Sequence, residues 1–220
     1  VGLKTVYIVR HGQTEWNVES RMQGRLDSPL TDAGRRQASA NGALIKSLGG
    51  VEQLWVSPAG RTTETAFLIN SYTQATLDFA DALLERDCGD WSGLTLEEIQ
   101  QHHPQAWASR QEDPYWFTPP QGESLQDMLL RAHSFLDELF DSEWESVALI
   151  THGVMSKVIL KFYLGLSEIE CTRTRHPNDL VYRLTFTAQD IETHHFIGNS
   201  EPISGLLRTD PGLETYPGSQ

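Results

Sequence analysis

Apolar and polar positions along this chain fall into blocks that predict strands and helices in alternation. Val6-Tyr7-Ile8-Val9 is a continuous apolar run that stops at Arg10-His11-Gly12, the pattern of a strand buried on both faces that carries charged groups to its carboxyl end. Residues 13 to 28 turn polar and predict a loop over that end. Pro29-Leu30-Thr31-Asp32 then opens a helix, with Thr31 as N-cap and Asp32 in the first turn, that runs through Leu44 and Ile45 to a Gly49-Gly50 stop. Val51 to Val56 predicts a second strand. It leads through Ser57-Pro58-Ala59-Gly60 into another helix, so Arg61 falls in a helical first turn at a strand's carboxyl end. A short strand between Thr76 and Leu84 breaks at Glu85-Arg86-Asp87-Cys88-Gly89, and Thr95 with Glu98 forms a capping box opening a helix toward His102-His103.

Trp107 to Gln121 is aromatic and proline-rich, an excursion expected to cover the strand ends. Leu125, Met128, Leu129, Ala132, Phe135, Leu136 and Leu139 then mark one stripe of an amphipathic helix. Val147-Ala148-Leu149-Ile150 repeats the design of the first strand, ending in Thr151-His152-Gly153, and a helix from Gly153 to Leu164 stops at Gly165. Leu180 to Phe186 and Ile191 to Ile197 predict a hairpin at the sheet edge. The expected fold is a three-layer α/β/α sandwich with a mostly parallel central sheet. It would be a single domain over residues 1–198, with 94–122 as the covering excursion and 199–220 a loosely attached tail.

Composition narrows the function classes. With 17 Lys and Arg against 30 Asp and Glu, the formal charge of −13 opposes nonspecific binding to nucleic acid or an anionic membrane. A small anionic substrate remains compatible with this charge if a few arginines are focused in one pocket. Two distant cysteines, Cys88 and Cys171, give no disulfide framework and favour a reducing compartment. With no leader-like or membrane-spanning apolar run, the expected location is cytoplasmic. The adjacent histidines 102 and 103 do not share a helix face and have no further ligand spacing around them, so no metal site is assigned.

Strand ends thus offer Arg10 with His11, Arg61 and His152, and a fourth break offers Glu85. Taken singly, each has an ordinary structural explanation, a solvated arginine or a packed histidine. Together at one sheet edge they suit phosphoryl transfer, in which cationic donors meet the phosphoryl oxygens, a neutral imidazole attacks and a carboxylic acid protonates the departing alkoxide. The residues resemble the histidine phosphatase superfamily, also called the phosphoglycerate mutase-like family. The resemblance lies in Arg10-His11-Gly12 with Thr14 and Asn17; Gln23-Gly24, Asp27, Pro29-Leu30-Thr31 and Gly34; Ser57-Pro58 with Arg61 and Thr65-Ala66; Glu85 with Gly89, Trp91 and Gly93; Gly122-Glu123-Ser124; and Thr151-His152-Gly153.

The resemblance implies that His11 is a nucleophile forming a phosphohistidine, Glu85 the proton donor, and Arg10, Arg61 and His152 the phosphate clamp, with Asn17 assisting. It carries Thr14, Gln23, Gly24 and Gly153 along as phosphate- or substrate-binding positions. No cofactor and no metal are implied, and the partner is a small phosphorylated substrate; a homodimer is left open. The stretch before Gly122 has Arg110 as its only basic residue between 107 and 121, which favours the phosphatase branch over the cofactor-dependent mutases. The alternatives carried forward are such a mutase and a noncatalytic phospho-ligand binding protein. Pro120-Gln121-Gly122-Glu123-Ser124 also resembles the phosphatase branch, with Glu123 open between part of that motif and a plain first-turn acid of the following helix.

Overall fold

A computed structural model describes residues 4–198 and 200–209. Its seven strands form one sheet: β1 (Thr5–Arg10), β2 (Gln53–Val56), β3 (Thr76–Phe79), β4 (Ser146–Thr151), β5 (Leu180–Phe186), β6 (Ile191–Ile197) and β7 (Ile203–Ser204), in the order β3-β2-β4-β1-β5-β6-β7. β3, β2, β4 and β1 run parallel, so their carboxyl ends share one edge. From β1 onward the pairing is antiparallel. The sheet is therefore mixed, and β5, the first strand of the expected hairpin, lies inside it next to β1.

Period-two alternation in β1 and β4 builds a core on each face. Val6, Ile8, Val147 and Leu149 point into one layer, where α6 (Leu125–Phe140) and α7 (Gly153–Leu164) supply Met128, Leu136, Val158 and Ile159. Tyr7, Val9, Ala148 and Ile150 point into the other, against Ile45 of α2 (Asp32–Ser47) and Ala66 and Ile69 of α3 (Gly60–Thr73). Both faces are buried, which explains why these strands read as unbroken apolar runs.

Local chemistry sets the helix boundaries. Thr31 accepts the Gly34 N–H at the start of α2, Ser124 forms a capping box with Asp127 at the start of α6, and Gly165 ends α7 at φ 62°. Gly12 and Gly34 let the turn after β1 cross the first turn of α2: a Cβ on Gly12 would lie 2.2 Å from the Gly34 carbonyl oxygen.

Four segments differ from the sequence reading. The expected loop over 13–28 contains a single helical turn, α1 (Glu15–Val18), because Thr14 and Asn17 make a reciprocal capping box. The excursion keeps the expected helix, α4 (Leu96–His102), adds an unexpected one, α5 (Pro104–Glu112), and packs Ile99, Trp107 and Phe117 around the buried Trp91. The buried Arg86 ties it down by donating to the Phe117 and Glu123 carbonyls at 2.6 Å each. A short helix not foreseen, α8 (Glu168–Arg173), follows α7. Residues 200–209, assigned by sequence to a loose tail, instead pair: Gly205 N–H donates to Thr193, and Arg175 N–H to Leu207. Residues 210–220 of that tail lie outside the described residues. Among the described residues no helix is long and apolar enough to cross a membrane, and no three His, Cys, Asp or Glu side chains gather as a metal-binding group.

Candidate active site

The shared carboxyl edge of the parallel strands collects the residues that sequence reading singled out. Arg10 ends β1 and is 8 % exposed. Its Nη1 donates to the His176 carbonyl at 2.9 Å, while its Nε has no protein partner. The guanidinium lies against the start of α7, and a Cβ on Gly153 would stand 3.2 Å from its Cζ and Nε. Glycine there leaves room for the arginine.

His11 follows directly and is 3 % exposed. Its Nδ1 is 2.8 Å from the Gly12 carbonyl oxygen, which can only accept, so Nδ1 carries the hydrogen and Nε2 the lone pair. The His11 carbonyl accepts from Asn178 Nδ2 at 2.8 Å, and the Gly12 N–H donates to Thr65 Oγ1 at 3.1 Å. These bonds fix the backbone on both sides of the imidazole.

His152 is the N-cap residue of α7 and fully buried. Its ring meets that of His11 edge-on, with centroids 5.4 Å apart. His152 Nε2 lies 2.7 Å from Ser57 Oγ, at the end of β2, and its Nδ1 is buried without a partner. Arg61 enters from the first turn of α3, its side chain 1 % exposed. Nη1 donates to the Leu26 carbonyl at 2.7 Å and to Asp27 Oδ1 at 2.8 Å, Nη2 to the Gly24 carbonyl at 2.9 Å, and Nε is again unpartnered. The Gly24 to Asp27 loop therefore grips the far side of the guanidinium.

Three buried nitrogens thus have no protein partner on side chains gathered near His11: the Nε–H donors of Arg10 and Arg61, and Nδ1 of His152, whose role follows its tautomer. Unpaired buried polar atoms are costly, and a bound oxyanion would satisfy both arginine donors, and the imidazole as well where Nδ1 carries its hydrogen. Burial is the main cause holding both imidazoles neutral. It lowers the His11 and His152 pKa values well below the ordinary value, and the two guanidinium charges lower them further. Burial also lowers Arg10, to about 10 despite the Glu85 carboxylate, which leaves it a cation at neutral pH.

Glu85 stands at the start of α7. Its Oε1 accepts from the N–H groups of Arg86 at 2.8 Å and Met155 at 3.1 Å, and its Oε2 from that of Val154 at 3.1 Å. The side chain thus meets otherwise unpaired donors of a helix terminus. Asp87, the other carboxylate at this break, accepts the Gly89 N–H at 2.9 Å. Glu123 is not in a helical first turn; it precedes the N-cap Ser124 and binds Arg131 at 2.9 Å, with Arg25 at 3.4 Å.

The structure brings His11, Arg10, Arg61, His152, Glu85 and Gly153 together. Other sequence candidates have protein partners that occupy them. Gln23 Nε2 donates to Thr14 Oγ1 at 2.8 Å, the Gly24 carbonyl serves Arg61, and the Asn17 amide oxygen accepts the Thr14 N–H, leaving Nδ2 as that side chain's donor group. Sequence reading gave no role to His176 or Asn178. Their signal was the polar run Arg175-His176-Pro177-Asn178 ahead of β5: an antiparallel neighbour of β1 must begin where β1 ends.

A family model described as "Histidine phosphatase superfamily (branch 1)" matches residues 6–197. The chain belongs to this superfamily. Human 6-phosphofructo-2-kinase/fructose-2,6-bisphosphatase 1 is 32 % identical over 203 residues, 91 % of this chain and 41 % of that protein. The chain spans about two fifths of the length of such curated relatives. Among solved structures, mycobacterial glucosyl-3-phosphoglycerate phosphatase is 29 % identical with a TM-score of 0.77, covering 90 % of this chain and 100 % of that one. The alpha-ribazole phosphatase from Shigella flexneri superposes with a TM-score of 0.78 at 20 % identity, over 89 % and 96 % of the two chains, and speaks to the fold alone.

The buried histidines of this histidine phosphatase domain have a consequence for stability. A histidine whose folded pKa lies below its unfolded value of 6.5 supports the fold fully above that pH, and this support is lost as pH falls toward the folded pKa, about 3 for His176. His11 and His152 act in the same direction. Each is expected to contribute a slope approaching about 1.4 kcal/mol per pH unit below 6.5. Urea midpoints measured from pH 7.5 to 5.0 should fall steadily below 6.5; a flat profile would mean these rings are not held neutral.

Proposed function

We propose that the chain is a metal-independent phosphomonoester hydrolase acting through a phosphohistidine on a small phosphorylated metabolite. One observation carries the reading: His11 is held with Nδ1–H on a backbone carbonyl, so that Nε2 has its lone pair free, and the neighbouring Arg10, Arg61 and His152 each keep a buried nitrogen without a protein partner. In the first step Nε2 attacks phosphorus, the P–O bond to the leaving group breaks, and that oxygen takes a proton delivered by Glu85. In the second, water attacks the phosphohistidine, Glu85 takes up its proton, and inorganic phosphate leaves with Nε2 restored. Arg10, Arg61 and His152 hold the phosphoryl oxygens through both transfers, preorganised by their bonds to His176, to the Gly24–Asp27 loop and to Ser57. The phosphatase names of the relatives support hydrolysis over phosphate shuttling between substrate positions.

Because side chains meet the phosphate charge, hydrolysis of a phosphomonoester panel is expected to proceed within about twofold of its untreated rate in excess EDTA. The same panel run beside 3- to 2-phosphoglycerate interconversion separates the hydrolase from the mutase reading. Loss of activity on chelation, restored by a divalent ion, or mutase turnover exceeding every hydrolytic rate, would overturn the proposal.

A further inference from the structure

The contact between Ser57 and His152 carries information that the phosphate clamp itself does not. A neutral imidazole donates from one nitrogen and accepts at the other, and the partner of one nitrogen decides the state of its opposite. His152 presents Nε2 to Ser57 Oγ at 2.7 Å and Nδ1 to a position without a protein partner, with both residues fully buried. If Nε2–H donated to the serine oxygen, Nδ1 would turn a lone pair toward the oxyanion that the two arginine Nε atoms await. If instead the Ser57 hydroxyl donates to Nε2, Nδ1 carries the hydrogen and becomes a third donor to the phosphoryl group.

The second arrangement is the one that fits an oxyanion at this position, where a bare Nδ1 lone pair would be repelled. The Ser57 carbonyl accepts the Thr62 hydroxyl at 2.7 Å and the Ser57 N–H donates to Ile150, so the backbone is fixed on both sides and the hydroxyl is left to serve His152. Ser57 sits at the end of β2 and His152 at the end of β4, adjacent parallel strands in register from Gln53 against Val147 to Val56 against Ile150. Sheet pairing therefore sets the distance between hydroxyl and imidazole.

We propose that Ser57 is a positioning residue that locks His152 in the Nδ1–H tautomer, so that a neutral ring donates to the phosphoryl oxygen. The inference rests on the phosphatase reading for its purpose, while its test is independent of turnover. ¹⁵N NMR of histidine-labelled protein, assigned by comparison with His152→Gln, should show His152 Nδ1 as the protonated nitrogen and Nε2 as the bare one, both free and with inorganic phosphate added. In Ser57→Ala the same ring should lose that pattern and shift toward the opposite or a mixed tautomer. The kcat/KM on a phosphomonoester should then fall about 10²-fold, the scale of losing one oxyanion donor, and Ser57→Thr, which keeps the hydroxyl, should restore both signal and rate.

A bare Nδ1 in the wild type would overturn the assignment. A His152 that keeps Nδ1–H in Ser57→Ala would show that Ser57 is not what sets it. If the tautomer is as proposed but no phosphoenzyme forms, the function fails and the positioning role stands; a wrong tautomer in an active phosphatase sinks the positioning role alone.

Discussion

Replacing His11 with alanine is expected to lower turnover of any phosphomonoester by on the order of 10⁴-fold or more, as loss of a covalent nucleophile does. The size follows from the absence of a substitute at that point in the pocket. His152, 5.4 Å away between ring centroids, spends Nε2 on Ser57 and leaves only Nδ1 without a protein partner. Neither arginine is a nucleophile, and Glu85 points its carboxylate at the backbone of α7. The variant should stay folded, because the bonds of the His11 backbone to Thr151 and Asn178 do not need the imidazole. His152→Ala is expected to cost less, about 10²–10³-fold, since it removes one donor and leaves the attacking nitrogen. A His11→Ala enzyme that retains a tenth of wild-type kcat while circular dichroism shows it folded would remove His11 from the chemistry.

The second large effect belongs to Glu85 and depends on the leaving group. General acid catalysis is worth about 10²–10⁴-fold where the departing alkoxide is poor, and little where it is already stable as an anion. Glu85→Ala should therefore cost a sugar or glycerate phosphate most of that factor in the first step. Phosphoenzyme formation from p-nitrophenyl phosphate should be nearly spared, with hydrolysis slowed because water has lost its base. The expected trace is a burst of nitrophenol followed by slow turnover. Alanine also strips acceptors from the first N–H groups of α7, so Glu85→Gln, which keeps an oxygen for Met155 and Arg86, is the companion variant and should show the same selectivity. Asp87→Ala should show none of it, because its carboxylate serves the Gly89 turn. Equal burst-phase losses on both substrate types, or the selective pattern in Asp87→Ala, would move the acid role elsewhere.

The layers were legible because burial on both faces of β1 and β4 writes itself as unbroken apolar runs, and because Thr31, Ser124 and Gly165 use ordinary cap chemistry. The candidate residues were legible because β1, β2 and β4 are parallel and end together, β1 and β4 followed at once by a histidine and β2 leading through Ser57-Pro58-Ala59-Gly60 into Arg61. Interactions between segments distant in the chain were not legible. Nothing local to Arg175–Asn178 says that it closes over β1, since the antiparallel turn of the sheet at β5 places it there. Nothing local to Glu123 says that it pairs with Arg25 and Arg131. The helical turn at Glu15 to Val18 was hidden by its polarity, which looks like a loop until Thr14 and Asn17 are seen bonding to each other's backbone.

The central claim is the bond between phosphorus and His11 Nε2, and trapping it is the most direct measurement. Enzyme mixed with a ³²P-labelled phosphomonoester and quenched in alkali within one turnover should carry label that is stable to base and lost in acid, as a P–N bond requires. Peptide mapping should place that label at His11, and with labelled p-nitrophenyl phosphate, whose first step needs little acid, Glu85→Ala should accumulate more of it than wild type. Label that survives acid, that maps to another residue, or that appears in His11→Ala as it does in wild type would contradict the account.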